Sequence, residues 1–225
     1  FSFATHQIRQ PLAYLRLGLE GLLTHKQDLD PNQREIMEEL LQVTLKSAKF
    51  VKELLDMARL EQGRIDLVMA PVDMRLVLEE VGRELGHFAT SQNVSLQVFP
   101  HGIPDAPHVI RADAERLKDV FRNLITNAIS YNRPTGTVSI DVFCVAVSEA
   151  AQGAAELHGS EDFQSYFAPF IAAGSGTAPF VIVTVTDTGM GIPVRDQPLI
   201  FRSFFRAGNG QKKGLQGTGL GLSIV

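Results

Sequence analysis

The sequence predicts an α-helical hairpin followed by an α/β domain, and three observations lead there. Up to Gly63, apolar and small residues recur at alternating steps of four and three, the seam of helices that pack on helices. Beyond Gly63 short apolar runs alternate with helical stretches, the pattern of an α/β domain. The length of 225 residues suits two modules, each able to bury a core. The expected boundary lies near residue 64, giving a hairpin over 1–63 and an α/β domain over 64–225.

The first helix is read from Phe3 to Leu23, with Ile8, Leu12, Leu15, Leu19 and Leu22 on its seam. The pattern breaks at Thr24 to Asp28. Asp30-Pro31-Asn32-Gln33 then restarts it, with an acceptor at the N-cap, proline in the first turn and glutamine at N3. Met37, Leu41, Thr44, Ala48, Val51, Leu55 and Ala58 carry the second seam as far as Gly63, a C-terminal stop. Leu40, Phe50, Leu54 and Met57 widen that face beyond what one helix covers, so the hairpin is expected to pair with a second copy as a four-helix bundle. An intramolecular hairpin packed only on the downstream domain is the alternative.

In the α/β domain, strands are expected near Arg64 to Val68, Val94 to Val98, His108 to Arg111, Val138 to Val147 and Phe180 to Asp187. Helices are expected from about Met74 to Phe88 and from Ala114 to Tyr131, the latter capped by Asp113. The connection 148–179, rich in Ala, Gly and Ser, is far longer than a hairpin loop and reads as an insertion with a short helix near Asp162 to Phe167.

Composition narrows the function. A formal net charge of −4, without clustered Lys and Arg, gives no reason to expect a nucleic-acid partner. The single cysteine, Cys144, cannot form an internal disulfide and reads as a buried strand residue in a reducing compartment. No stretch approaches the roughly 20 apolar residues of a membrane-spanning helix, so a cytoplasmic fragment is expected, with any membrane anchor upstream of Phe1. Phe1 opens inside a helical pattern and Val225 follows a glycine-rich segment directly, so the chain reads as a fragment cut at both ends, its α/β domain C-terminally truncated.

His6 stands on the first helix five residues before Pro11. A proline inside a helix removes a backbone hydrogen bond and clashes with the preceding turn, at about 3 kcal/mol, and such local rule-breaking marks functional sites. An imidazole with an ordinary pKa of about 6.5 is largely neutral at pH 7 and offers a lone pair to an electrophile. Asn123 and Asn127 lie one turn apart on one helical face, while Leu117, Val120, Phe121, Leu124 and Ile125 supply the buried stripe. Neutral amide oxygens suit a Mg²⁺ ion that keeps most of its waters. At a strand end, Asp187-Thr188-Gly189-Met190-Gly191-Ile192 places a carboxylate that can accept from an exocyclic amine beside glycines that let a flat ring approach. Gly217-Thr218-Gly219-Leu220-Gly221 opens a last helix whose N–H groups can face phosphates.

In this order the motifs resemble those of sensor histidine kinases from two-component signalling. Phe3-Ala4-Thr5-His6-Gln7-Ile8-Arg9-Gln10-Pro11 is similar to the phosphoacceptor box, Arg122 to Ala128 to the asparagine box, and Asp187 to Ile192 to the first glycine box. Leu199 to Arg206 is similar to the phenylalanine box, and Gly217 to Leu222 to the second glycine box. The resemblance implies a Bergerat ATP-binding fold, an α/β two-layer sandwich, with ATP and Mg²⁺ as ligands and residues 188–217 as glycine box and lid. It also implies a homodimer, and transfer of phosphate from His6 to the receiver domain of a response regulator. By the same resemblance Asn127 is a magnesium ligand, with Asn123 beside it; Tyr131 lies beside the adenine and Asp187 reads its amine, with Gly189 and Gly191 giving room. Arg206 stabilises γ-phosphate charge, and Gly217, Thr218, Gly219, Leu220 and Gly221 receive phosphates.

Two departures bear on rate. Gln7 replaces the family's carboxylate and cannot balance a developing imidazolium, so slow autophosphorylation is expected. Gln10 replaces threonine or asparagine; it is either an amide that orients a water for dephosphorylating the regulator or a plain solvated residue. A phosphatase-biased scaffold and an ATP-driven clamp of the gyrase or chaperone class remain as alternatives, the clamp having no use for a phosphoacceptor helix.

Overall fold

A computed structural model describes residues 2–25, 29–61, 66–99, 108–145, 180–208 and 218–223; over 2–9 it describes the backbone alone. The chain forms two compact units, one of Leu67–Pro193 and one of Phe1–Asp66 with Val194–Val225. The division by compactness groups the segment after Pro193 with the hairpin.

In the second of these units α1 (Ser2–His25) packs on α2 (Pro31–Glu61). Asp30 starts α2 as expected, its carboxylate accepting from the Asn32 N–H at 3.0 Å and its carbonyl from the Arg34 N–H. The seam expected on α2 is half-buried except for buried Thr44, which donates its hydroxyl to the Leu40 carbonyl at 2.8 Å, while Glu53 and Asp56, off that seam, are buried as well. On α1, Leu12 and Leu19 are half-buried but Leu15 is 56% exposed and Leu22 exposed, contrary to their place on the expected seam. A straight helix of 3.6 residues per turn drifts against a heptad spacing, which carries part of the stripe around to the outer side. Leu17, Leu40, Val43 and Phe50 share that exposure, so the hairpin presents a broad apolar surface. Residues 194–208 make a 3₁₀ turn (Gln197–Leu199) and further turns, and 218–223 form a loop and turn where a helix start was expected.

Among the described residues, the unit Leu67–Pro193 holds two small sheets and two helices. β1 (Ala70–Asp73) pairs antiparallel with β3 (Val109–Ala112). β2 (Ser95–Val98) runs parallel to β4 (Thr137–Val145), which pairs antiparallel with β5 (Phe180–Asp187), in the order β2-β4-β5. α3 (Met74–Ser91) and α4 (Ala114–Ser130) cover one sheet face. Val138, Ile140 and Val142, alternate residues of β4, meet Val77, Leu78 and Val81 of α3 and Phe121, Ile125 and Ile129 of α4 in a single core. This is the two-layer α/β sandwich expected.

Several local expectations shift. Of the first strand expected near 64–68, residues 64 and 65 lie outside the described residues and 66–68 are not strand; β1 lies at 70–73, where it pairs with β3, and the Val68 N–H ahead of it donates to Asp113 at 3.0 Å. The buried stripe of α4 is Phe121, Ile125, Ala128 and Ile129; Leu117 and Leu124 pack at its margin, and Val120 is half-buried outside it. Cys144 is half-buried, near the end of β4, rather than buried as expected. The insertion 148–179 with its short helix, and residues 209–217, lie outside the described residues.

Candidate functional site

α4 begins where Asp113 accepts from the N–H groups of Glu115 and Arg116, and ends at Tyr131, whose N–H donates to the Asn127 carbonyl at 2.9 Å. Its outer side is tied to α3 by a bidentate pair between Arg122 and Glu84 and by Lys118 to Glu80. Asn123, Asn127 and Tyr131 are half-buried. Hydrogen bonds from Arg122 hold the Glu84 carboxyl below the usual range, and those from the Val68 and Arg116 N–H groups do the same for Asp113.

Asp187 closes β5 and is exposed. Its Oδ1 accepts from the Gly189 N–H at 2.7 Å. A Cβ on Gly189 would stand 2.6 Å from both Asp187 Oδ1 and the Tyr131 carbonyl, so only glycine fits between strand end and helix end. The Met190 N–H donates to the same Tyr131 carbonyl at 3.2 Å. Gly191, at φ +64, adopts the left-handed backbone that glycine allows. The expected asparagine box and first glycine box are therefore joined within one unit. Asn132 and Thr188, bonded to each other at 3.2 Å, add to this join and were not singled out in the sequence. The turn signal Asn132-Arg133-Pro134-Thr135-Gly136 was the available hint.

The other expected nucleotide residues belong to the second unit. Thr218 donates to Glu53 of α2 at 2.6 Å and accepts from the Leu220 N–H at 3.2 Å; Leu220 is fully buried, and Gly221 and Arg206 are half-buried. Gly219, at φ +72, lies against the backbone of Phe204. Gly217 lies outside the described residues. His6 and Gln7 sit on the helical backbone of α1, their side chains outside the description, while Gln10 and Pro11 are exposed.

Two family models match. The His Kinase A (phospho-acceptor) domain covers residues 1–63, and the histidine kinase-, DNA gyrase B- and HSP90-like ATPase covers residues 112–225, half of the chain. The chain belongs to the histidine kinases. It matches the two catalytic-core domains of that family, as its motifs imply. Among curated relatives, histidine kinase 2 of Arabidopsis thaliana is 27% identical over 98% of this chain and 20% of its own length. Sensor histidine kinase MtrB of Mycobacterium leprae (strain TN) is 26% identical over 99% of this chain and 33% of its own, and BarA of Escherichia coli (strain K12) 29% over 98% and 21%. This kinase core thus spans a fifth to a third of those proteins. Full-length ShkA in complex with AMPPNP shares the fold at TM-score 0.66 and 22% identity, over 99% of this chain and 38% of that one. Acinetobacter baumannii AdeS does so at 0.51 and 18%, over 97% and 83%. Among the described residues no helix is long and apolar enough to cross a membrane.

Proposed function

We propose that this kinase binds Mg·ATP through Asn127, Tyr131, Asp187 and the glycine boxes, phosphorylates itself on His6, and passes the phosphoryl group to an aspartate on the receiver domain of a response regulator. The observation that carries the reading is the Gly189 wedge. It seats the end of β5 against the end of α4, so that Asp187, whose carboxylate can accept from an exocyclic amine, stands beside Tyr131. In the transfer, the ring nitrogen of His6 attacks the γ-phosphorus, the bond from that phosphorus to the bridging oxygen breaks, and ADP leaves with the electron pair. Arg206 stabilises the charge that accumulates on the phosphoryl oxygens.

Among the described residues no three His, Cys, Asp or Glu side chains could cage a metal ion. The amides of α4 instead suit Mg²⁺ bound mainly through nucleotide phosphates, with Asn127 as its protein ligand. The ion supplies positive charge to the phosphates.

The exposed apolar surface of the hairpin supports a homodimer, and its outer face below His6 suits the regulator. Gln7 makes self-phosphorylation slow, and Gln10 allows a phosphatase activity towards the regulator. Any membrane anchor belongs to the parent protein outside this core, which itself works in the cytoplasm.

Incubation with γ-labelled ATP tests the reading. An acid-labile, base-stable label that is lost in His6→Ala is the expected result. Nucleotide binding without label would favour the scaffold, and multiple-turnover hydrolysis without label the clamp.

A further inference from the structure

We infer that Asn132 and Thr188 are positioning residues that hold Asp187 in place to select the base of the nucleotide. The inference rests on Asp187 as the reader of that base. It starts from the end of the β4–β5 ladder. Val138 pairs with Asp187, so Thr137 and Thr188 stand opposite each other one step further on. An antiparallel pair in that position exchanges two backbone bonds. One is made, from the Thr188 N–H to the Thr137 carbonyl at 3.1 Å. In place of the other, the Thr137 N–H donates to the Thr188 side-chain oxygen at 2.9 Å. A hydroxyl has replaced its own residue's carbonyl. The backbone of residue 188 is thereby released to turn into Gly189, and the ladder stops directly after Asp187.

Asn132 secures that hydroxyl from the helix side. Its Oδ1 accepts from Thr188 at 3.2 Å and from the Arg133 N–H at 2.9 Å, while its Nδ2 donates to the Thr137 carbonyl at 3.1 Å. Gly136 makes the meeting possible, since a Cβ there would come within 2.8 Å of the Thr188 oxygen and closer still to Asn132. Two straps therefore join the end of α4 to the turn. Tyr131 to Met190 is backbone and survives mutation; Asn132 to Thr188 is made of side chains and does not. Between them lies Gly189, whose N–H donates to the carboxylate of Asp187.

ATP presents an amine where GTP presents a carbonyl, so a fixed carboxylate acceptor favours ATP and a loose one discriminates less. The test is the ratio of ATP to GTP affinity for the full-length protein with magnesium, a ratio that partial unfolding leaves unchanged. Thr188→Val and Asn132→Ala are each expected to lower it by about tenfold, the size of one well-made hydrogen bond. The double variant should be no worse than the weaker single, because the two act as one unit. Thr188→Ser, which keeps the hydroxyl, should restore it. If both single variants keep the ratio within about twofold while Asp187→Asn abolishes it, the clasp is wrong and the base reading stands. If Asp187→Asn also keeps the ratio, the base reading itself is wrong and the clasp falls with it. Should Thr188→Val not fold, Asn132→Ala and Thr188→Ser decide by the same ratio.

Discussion

The backbone of Phe204 is closed on Gly219: the Phe204 N–H donates to the Gly219 carbonyl at 2.9 Å, and both residues have positive φ, +64 and +72. A Cβ on Gly219 would lie 2.7 Å from the carbonyl carbon of Phe204 and 2.9 Å from its Cα, which are backbone atoms that cannot step aside. Gly219→Ala therefore adds left-handed strain of about 1–2 kcal/mol to a steric conflict. Autophosphorylation is expected to fall at least about tenfold. Gly219→Asn separates the two causes, because asparagine tolerates the left-handed backbone but still carries the Cβ. Equal damage from both variants is the expected result; a mild Asn variant would assign the effect to backbone strain alone.

Thr218 and Glu53 are 165 residues apart in sequence yet share a 2.6 Å hydrogen bond. Glu53 is only 8% exposed, with Lys49 at 3.8 Å, so the hydroxyl helps to satisfy a carboxylate held largely out of water. Thr218→Val removes that donor and the acceptor of the Leu220 N–H together. Loss of about 1–3 kcal/mol in unfolding free energy is expected, measured by urea denaturation. Adding Glu53→Gln to Thr218→Val should recover part of it, since a neutral amide is less penalised by burial.

Acid should weaken the Leu67–Pro193 unit through three carboxylates. Arg75 holds Asp73 below its ordinary 3.8, Arg122 holds Glu84 below 4.5, and the Val68 N–H, followed by those of Arg116 and Glu115, holds Asp113 below 3.8. Each folded-state pKa is depressed, so the unfolded chain takes up protons first. The stability they contribute is complete above those ordinary values and is lost as pH falls through the lowered ones. Urea midpoints from pH 7 to 3 should therefore drop most steeply below about pH 4.5. Asp113→Asn keeps an effective helix cap while removing the titration, so its profile should be flatter at the acid end. A slope equal to that of the parent would remove Asp113 from the account.

What could be read in the sequence was local chemistry. Asp30 and Asp113 announce helix starts because a cap needs only a short acceptor two or three residues ahead of orphan N–H groups, and both accept as expected. Gly189 and Gly191 were legible for the same reason, as residues that permit a tight turn. Leu15 and Leu22 were misplaced because heptad spacing says which side of a helix is apolar but not which part of it one partner helix covers. Asn132 and Thr188 escaped notice since their bond depends on the β4–β5 register, which brings residues 51 apart together at Thr137 and Thr188. Glu53 escaped for a similar reason; nothing in its own helix indicates a threonine far along the chain.

His108 supplies a prediction about stability in the opposite direction. The residue is 1% exposed, and no protein group among the described residues bonds either ring nitrogen, although its carbonyl accepts the Met74 N–H at 3.0 Å and so anchors the start of α3. A buried polar group without a bond is penalised by about 1–3 kcal/mol. His108→Leu removes the polar atoms and keeps both the bulk and the carbonyl, so the unfolding free energy should rise by about 1 kcal/mol. His108→Ala removes the polar atoms too but opens a cavity, and falls below the parent because cavity formation outweighs the relief. The expected order in urea midpoint is leucine, parent, alanine. Were leucine to rank below the parent, the imidazole would have to be satisfied in solution, by a buried water with two or more polar neighbours, and the pocket around it would be polar rather than part of the apolar core.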